Sequence, residues 1–256
     1  MTSGARGPLA GQLAIVTGGG RGIGRGCALA LSRMGAGVFL VARSAPELEA
    51  AADEVRARGG EAFAHVADTT QPSEVARMVE EAARRGEVRV LVTAAGTNRP
   101  GAAADYPIAD WDALFDVNVR GTFLACQAVG RHLLAQGKGG SVVTLSSQMG
   151  AVGYPGRVAY CATKHAVEGL TKALAVEWAR EGVRVNSVAP TFVETEMTKA
   201  FLADPAFREE VLERRLPTGR FATVEEVAQA VAYLASSAAG STTGHVLRVD
   251  GGWTAW

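Results

Sequence analysis

The sequence has little of several features that define other classes of protein. It contains only three cysteines in 256 residues, at Cys27, Cys126 and Cys161, and their wide separation favours reduced thiols over a disulfide framework. The four histidines form no HExxH or other close pair, so no metal site is predicted. No apolar run approaches the roughly 18 residues that a membrane helix needs.

Charge of one sign is also lacking, since 26 acidic residues balance 26 lysines and arginines. This balance argues against a protein whose main partner is a nucleic acid. With 48% hydrophobic residues the chain can bury a sizeable core, which excludes wholesale disorder. Residues 1–10 contain one arginine and no apolar core, so we expect a flexible tail and no secretory signal. The composition predicts a soluble cytoplasmic globule.

What the sequence does contain is an alternation of short β-branched runs with helical patterns. The predicted strands are Leu13–Thr17, Val38–Ala42, Phe63–Ala67, Val88–Thr93, Ser141–Leu145, Val183–Val188 and His245–Val249. The clearest helical segments between them are Ile23–Met34, Glu47–Arg58, Val75–Ala82, Val117–Ala135, Val158–Glu181 and Val224–Leu234. Several strands are apolar almost throughout, as strands covered on both faces are. The pattern predicts an α/β fold with a doubly wound, seven-stranded parallel sheet and helices on both faces.

One segment interrupts this alternation. Residues 191–217 carry a helical pattern of their own, with apolar positions at Met197, Phe201, Val211 and Leu212. No repeat or linker divides the chain, so residues 11–256 are expected to form one domain. The segment 191–217 is then predicted to be a lid over the site.

A glycine-rich turn directly follows the first predicted strand. Residues 17–24 read TGGGRGIG, which is the spacing TGxxxGxG with glycines at Gly18, Gly22 and Gly24. Glycines let the backbone approach an anion, whose charge is favoured at a helix N-terminus. The turn therefore predicts a pyrophosphate site, and the alternative is an ordinary glycine-rich turn.

The end of the second strand bears on the choice of coenzyme. In NAD-binding folds an acid there holds the ribose 2′-hydroxyl, whereas this strand ends in Ala42-Arg43. An arginine can hold a 2′-phosphate by paired, charge-assisted hydrogen bonds. Arg43, helped by Arg21, therefore favours NADP(H) over NAD(H), unless both are ordinary surface arginines.

A tyrosine and a lysine four residues apart are the main chemical signal. The chain has only four tyrosines and four lysines, and Tyr160 and Lys164 form a YxxxK in a predicted helix. That spacing puts the phenol and the ammonium on one face. The ammonium is expected to lower the pKa of Tyr160 from near 10 toward neutrality. Ser147, with Ser146 as the alternative, follows the fifth strand 13 residues earlier, where such sheets face the ligand crevice.

These motifs, with Val-Asp-Gly-Gly at residues 249–252, resemble the short-chain dehydrogenase/reductase family over about Leu9 to Gly252. The resemblance implies hydride transfer between a nicotinamide and a carbonyl or alcohol carbon. Tyr160 would be the general acid/base, Ser147 would bind the substrate oxygen, Lys164 would lower the pKa of the tyrosine, and Asn118 would order a water relay to Lys164. The cofactor contacts that it implies are Gly18, Arg21, Gly22, Ile23, Gly24, Arg43, Asp68, Ala95, Gly96, Asn118, Tyr160, Lys164, Pro190, Val193 and Thr195, and Asn186 belongs to the same segment as the last three.

Two positions depart from the family pattern. The chain has Thr93-Ala94-Ala95-Gly96 where many members have Asn-Asn-Ala-Gly, which puts local sheet stability in question. It has Pro190-Thr191 where many have Pro-Gly. Threonine resists backbone angles that glycine allows, so the entrance near the nicotinamide is expected to differ in shape.

The substrate is less constrained than the chemistry. The segments GTNRP at 96–100 and GGWT at 251–254 resemble members that act on sugar acids and polyols. Other members of similar pattern reduce a 3-oxoacyl thioester on acyl carrier protein. Substrate-facing loops are expected at 97–106, 148–157 and 191–217, with Asn98, Arg99 and Gln148 as polar residues. The resemblance also implies a homotetramer.

Two other classes of function remain as alternatives. The fold could bind NADP as a sensor or interaction module without turnover, although such a module does not need a tuned phenol. A serine hydrolase is disfavoured because Ser147 lacks the flanking glycines of G-x-S-x-G and no triad order is evident.

Overall fold

The computed structural model describes residues 7–196 and 198–255, without the side chains of Ala200 and Phe201. Two apolar positions predicted for the lid, Met197 and the Phe201 side chain, therefore lie outside the described residues. Residues 1–6 of the tail expected over residues 1–10 lie outside the described residues, and the described part is not all tail. Leu9 is 1% exposed in the core, and its N–H donates to the carbonyl of Met34 at 2.9 Å. A single leucine in a glycine-rich stretch gives no periodic signal, so the sequence did not predict this packing.

Seven strands form one parallel sheet, which confirms the predicted fold class. The strands are β1 (Gln12–Thr17), β2 (Gly37–Ala42), β3 (Ala62–Val66), β4 (Glu87–Thr93), β5 (Gly140–Leu145), β6 (Val183–Pro190) and β7 (Val246–Val249). Their order across the sheet is β3-β2-β1-β4-β5-β6-β7. The order changes direction between β1 and β4, and in sheets of this kind ligands bind at that point, outside the carboxyl ends of the strands.

Helices cover both faces of the sheet. Within residues 7–196 and 198–255 they are α1 (Gly22–Arg33), α2 (Ala45–Ala57), α3 (Pro72–Arg85), α4 (Ile108–Phe115), α5 (Thr122–Gln136), α6 (Val158–Trp178), α7 (Lys199–Leu202), α8 (Pro205–Arg214) and α9 (Val224–Ala235). Proline in the first turn begins α3 and α8, where its missing N–H has no cost. A capping box between Thr223 and Glu226 begins α9.

Two hydrophobic cores lie on opposite faces of the sheet. Helices α1, α2 and α9 cover one core and α3, α5 and α6 cover the other. Alternate residues of β1 serve the two cores, since Ala14 and Val16 face the first while Leu13 and Ile15 face the second. This division explains why the strand is apolar at consecutive positions.

The segment before α5 differs from the prediction of one helix over Val117–Ala135. Helix α4 precedes it, and a π-helical turn over Asp116–Gly121 joins α4 to α5. The sequence did not reveal α4 because it has only eight residues, and Leu114 is its one fully buried side chain. Short helices held by few apolar contacts give little periodicity.

A third hydrophobic cluster lies outside the sheet, beyond the ends of β5, β6 and β7. It joins α8 to the loops after β5, β6 and β7, which contribute Met149, Phe192 and Trp253. Tyr154 and Phe207 pack against this cluster. Segment 191–217 is therefore anchored over the carboxyl edge of the sheet. None of the helices described is long and apolar enough to cross a membrane, and the described residues include no group of three His, Cys, Asp or Glu side chains able to hold a metal.

Candidate active site

The glycine turn after β1 has a conformation that requires its glycines. Gly18 and Gly22 have φ angles of +65° and +52°, a region that favours glycine. A Cβ on Gly18 would also come within 2.7 Å of the N atom of Ala95, and a Cβ on Gly24 would clash with the carbonyl of Gly18. The turn is therefore pressed between α1 and the loop after β4, and only glycines fit it.

Helix α1 begins at this turn with its first N–H groups available. Its N-cap, Arg21, makes no side-chain capping bond to the described residues, and the first turn contains no acid. The first N–H groups of a helix lack partners within the helix and favour an anion. On the opposite side, the methyl of Thr195 lies 3.5 Å from the Cβ position of Gly22. Thr195 thus faces the glycine turn.

Two charged residues, Arg43 and Asp68, follow the ends of β2 and β3 at the same edge of the sheet. Arg43 is exposed at the end of β2. The Oδ1 atom of Asp68 accepts hydrogen bonds from both N and Oγ1 of Thr70 at 2.9 Å. These bonds lower the pKa of Asp68, and the nearby charge of Arg43 lowers it further. Arg21, in contrast, lies 3.7 Å from Glu47, so its charge is shared with that acid.

Asn118 is buried in the π-helical turn and uses its whole amide. Its Oδ1 accepts from N of Thr97 at 2.8 Å, and its Nδ2 donates to the Thr97 carbonyl at 2.9 Å and to Oγ1 of Thr163 at 3.2 Å. The side chain therefore ties the loop after β4 to α6, next to Lys164. Gly96 approaches the same amide, since a Cβ on it would lie 3.4 Å from Oδ1.

Ser147, Tyr160 and Lys164 meet beyond the end of β5, as the spacing predicted. Ser147 is buried, its Oγ accepts from N of Met149 at 3.2 Å, and it lies near enough to the Tyr160 hydroxyl to lower the pKa of the phenol. Lys164 is buried one turn along α6, with Nζ 5.5 Å from the centre of the Tyr160 ring. Its Nζ donates to the Leu145 carbonyl at 2.8 Å. Ser146 points away, because its Oγ donates to Glu168 at 3.0 Å, so Ser147 is the serine beside the phenol.

The proton affinities in this cluster differ from the expectation. Burial raises the pKa of Tyr160 to about 12, and the neighbouring Ser147 hydroxyl and the charge of Arg157 only partly oppose it. Burial also lowers the pKa of Lys164 to about 8. The sequence predicted that Lys164 lowers the pKa of Tyr160. For the side chains of the protein alone, this prediction is wrong. Loss of hydration by the phenolate outweighs the favourable charges.

Asn186 does not belong to this site. It is 0% exposed within β6, its Nδ2 donates to the Thr242 carbonyl at 2.8 Å, and its Oδ1 accepts from N of His245 at 3.1 Å. Both ends of its amide are thus used to position the start of β7. The resemblance-based expectation that Asn186 belongs to a cofactor-binding segment is corrected by this geometry, while Pro190 does end β6 at the crevice.

Sequence reasoning missed two buried charged residues next to the cluster. Arg157 begins α6 and lies close enough to Tyr160 for its charge to lower the pKa of the phenol. Glu168 lies one turn beyond Lys164. A helical spacing of three or four from Tyr160 and Lys164 was the only available signal for them, and charged residues at such spacings are usually solvated.

Comparison with known proteins agrees with this geometry. A family model described as enoyl-(acyl carrier protein) reductase matches residues 18–254. D-threitol dehydrogenase of Mycolicibacterium smegmatis is 41% identical over 252 residues, which cover 96% of this chain and 94% of that protein. Gluconate 5-dehydrogenase of Gluconobacter oxydans is 38% identical, with 96% of each chain covered. 

Solved structures agree as well. The gluconate 5-dehydrogenase from Burkholderia cenocepacia J2315, in complex with NADP and tartrate, superposes with a TM-score of 0.93 at 36% identity, covering 97% of each chain. The chain therefore belongs to the short-chain dehydrogenase/reductase family. It is an oxidoreductase that acts on CH–OH and C=O groups.

Proposed function

We propose that the protein is an NADP(H)-dependent dehydrogenase/reductase with Tyr160 as the general acid/base. Ser147 binds the reacting oxygen of the substrate, and Lys164 binds the nicotinamide ribose. The observation that carries this assignment is that Ser147 lies beside the Tyr160 hydroxyl, with the buried ammonium of Lys164 one helical turn away. The pair lies at the carboxyl edge of the sheet, where the glycine turn also lies.

The proton affinities suit carbonyl reduction. Nicotinamide supplies the hydride when it is bound. Because the pKa of Tyr160 is raised to about 12, its hydroxyl is protonated at neutral pH and can give its proton to the substrate oxygen. Ser147 donates a hydrogen bond to the same oxygen and orients it. Alcohol oxidation reverses these transfers, so Tyr160 then accepts the hydroxyl proton.

The residues present fit an NADP molecule. The glycine cradle at the start of α1 fits the pyrophosphate, and Arg43 and Asp68 fit the adenosine end. Among the described residues Arg43 is in no ion pair within 4.0 Å, so its guanidinium is available to a 2′-phosphate. A structure from Beutenbergia cavernae that also contains NADP is 41% identical to this chain. These observations support a preference for NADP(H), with Arg43 contributing more than the Glu47-paired Arg21.

The substrate that fits best is a sugar acid or polyol, or its keto form. Asn98 Oδ1, Gln148 Oε1 and Thr191 Oγ1 are buried without a hydrogen-bond partner among the described residues. They follow the ends of β4, β5 and β6, three adjacent strands, at the edge of the sheet where Ser147 also lies. Polar side chains at these strand ends suit a ligand with several hydroxyls better than an acyl chain. The D-threitol dehydrogenase and gluconate 5-dehydrogenase relatives are named for such ligands.

Three other features belong to this proposal. The segment 191–217 acts as the substrate lid, anchored by its apolar cluster with Tyr154 and Trp253. The chain forms a homotetramer, for which the exposed Phe123 on α5 and Val176 on α6 offer apolar contacts. The cytoplasm is the working compartment, which agrees with the free thiols of all three cysteines.

A substrate panel with a tyrosine variant tests the function. Wild type and Tyr160→Phe are assayed with polyols and sugar acids plus NADP⁺, and with keto acids and 3-oxoacyl thioesters plus NADPH. We expect polyols or sugar acids to be the best substrates, and Tyr160→Phe to lower kcat/KM by about 10²- to 10⁴-fold with unchanged NADPH binding.

Three results would each decide against part of this proposal. Undiminished turnover in Tyr160→Phe would discard the mechanism. NADPH binding without turnover of any substrate would favour the sensor alternative. A preference for 3-oxoacyl thioesters would instead place the chain with its 3-oxoacyl-[acyl-carrier-protein] reductase relatives, such as that of Staphylococcus epidermidis at 39% identity.

A further inference from the structure

One face of α6 is joined to the end of β5 by three successive polar contacts. Thr171 Oγ1 lies 2.8 Å from Thr144 Oγ1, and Lys164 Nζ lies 2.8 Å from the Leu145 carbonyl. Glu168 Oε1 accepts from Ser146 Oγ at 3.0 Å. The three strand-side partners are consecutive residues, and the next residue in the chain is Ser147.

Glu168 is the costly member of this series. Glu168 is only 6% exposed. Burying a carboxylate is unfavourable unless it gains hydrogen bonds. An apolar residue at the same position would pack α6 against the sheet without that cost. The contacts that the carboxylate makes are therefore the place to look for its role.

These contacts lie on both sides of Ser147. Before it, Ser146 donates its hydroxyl to Glu168. After it, Gly150 passes so close that a Cβ would clash with Glu168 Oε1 and would lie 2.5 Å from Ser146 Oγ. The turn between them is closed by Gly150 N donating to the Ser147 carbonyl at 2.8 Å. The segment 146–150 thus lies directly on the Glu168 carboxylate.

We propose that Glu168 is a positioning residue that fixes the segment 146–150 and so aims the Ser147 hydroxyl at the substrate oxygen. The inference rests on the proposed function, in which Ser147 binds that oxygen. Ser147 itself has an extended backbone, and its Oγ is held within the segment by one bond from Met149 N. Its direction therefore depends on where the whole segment lies. Displacements of about 1 Å are enough to lower a rate strongly.

The experiment compares variants of two helix–strand contacts on the same face of α6, Glu168 with Ser146 and Thr171 with Thr144. Glu168→Leu removes the acceptor, Glu168→Gln keeps an acceptor oxygen, and Ser146→Ala removes the donor. Thr171→Val is the matched control, because it removes a buried helix–strand hydrogen bond one turn further from Ser147. Each variant is measured for kcat, for KM of both substrates and for thermal stability.

We expect Glu168→Leu and Ser146→Ala each to lower kcat by about 10- to 100-fold, with KM for NADPH within about twofold of wild type. Glu168→Gln should recover most of the rate. The double variant should be no slower than the slower single variant, since both changes break one contact. Thr171→Val should lower stability and leave kcat within about twofold of wild type.

Equal kcat in Glu168→Leu and wild type would overturn the inference, as would a Glu168→Gln variant as slow as Glu168→Leu. If Glu168→Leu does not fold, Glu168→Gln and Ser146→Ala carry the same comparison. A crystal structure of Ser146→Ala or Glu168→Leu gives a readout that does not need turnover. Ser147 Oγ displaced from the Tyr160 hydroxyl supports the inference, and an unmoved Ser147 refutes it. Absence of turnover in wild type would instead count against the proposed function.

Discussion

Lys164 is buried and Tyr160 is half-buried, and their removal from water moves the two proton affinities in opposite directions. The phenolate and the ammonium each lose hydration, so the pKa of Tyr160 rises to about 12 and the pKa of Lys164 falls to about 8. Near neutral pH both groups therefore carry their protons. A protonated phenol next to a cation is the state that carbonyl reduction needs.

The pH dependence of carbonyl reduction should come from Lys164. The pKa of Lys164 is about 8, so its charge is present below that pH and is lost above it, whereas Tyr160 stays protonated up to about pH 12. We expect kcat/KM for reduction to be level from about pH 6 to 7.5 and to fall up to tenfold per pH unit above about pH 8. Initial rates between pH 6 and 10 measure this.

Lys164→Arg provides the control for that assignment, because a guanidinium keeps its charge over the whole range. Its activity is expected to be lower, but the decrease above pH 8 should be absent. A decrease at the same pH in both proteins would mean that another group is titrating.

The sequence predicted the reacting residues better than their environment. Ser147, Tyr160 and Lys164 could be placed together because a strand end and a helical spacing of four fix their relative positions. The raised pKa of Tyr160, the burial of Arg157 and Glu168, and the structural role of Asn186 could not be predicted. They depend on which distant segments cover each side chain, and this information lies in the packing of the whole domain.

At the scale of elements, the strands were predicted to within about two residues because their apolar runs are long and bounded by glycines and charges. Helix α4 and the π-helical turn were not predicted, because a short helix has few buried positions and a wide turn breaks the periodicity. Asn118 depends on this turn for its contacts with Thr97 and Thr163. The least predictable element is thus the one that ties the loop after β4 to α6.

The packing of α5 on α6 depends on a glycine. A Cβ on Gly130 of α5 would clash with the Trp178 ring of α6. We expect Gly130→Ala to lower the free energy of unfolding by about 1–3 kcal/mol, because overpacking outweighs the better helix propensity of alanine. Gly169→Ala, on the exposed side of α6 with no atom within 4 Å of the Cβ position, should instead raise it by up to about 1 kcal/mol.

Urea unfolding of the two glycine variants at one protein concentration measures the difference. Both variants add one methyl group to a helical glycine, so they differ mainly in what the methyl group meets. Similar stabilities for the two would show that α5 and α6 are less closely packed than described.

At the scale of the whole molecule, the crevice spans both halves of the sheet. The glycine turn follows β1 and Arg43 follows β2. On the other side of the change in strand order, Ser147 follows β5 and Pro190 is the last residue of β6. A dinucleotide that fills the crevice would therefore bind the two halves together. Binding of the cofactor should be visible as a gain in the stability of the whole fold.

We expect NADPH at about 100 times its Kd to stabilise the folded protein by about 2.7 kcal/mol, measured as a thermal shift. NADPH should give a larger shift than NADH at equal concentration. Arg43→Ala should weaken NADPH binding by about 10- to 100-fold, since it removes charge-assisted hydrogen bonds, and should make the two shifts similar. Arg180→Ala, an exposed arginine before β6 at the opposite edge of the sheet, is the control. Equal shifts in wild type would contradict the preference for NADP(H).

The π-helical turn over Asp116–Gly121 also limits how this region can change in length. A regular helix rotates by about 100° per residue, and a π turn accommodates one residue more than an α turn. Deleting one residue here would give an uninterrupted α-helix. The deletion would then have one of two effects. Either Asn118 would rotate away from Thr97 and Thr163, or the apolar face of α5 would rotate away from the sheet. The exposed positions Asp116 and Arg120 can therefore change more freely than the length of this turn.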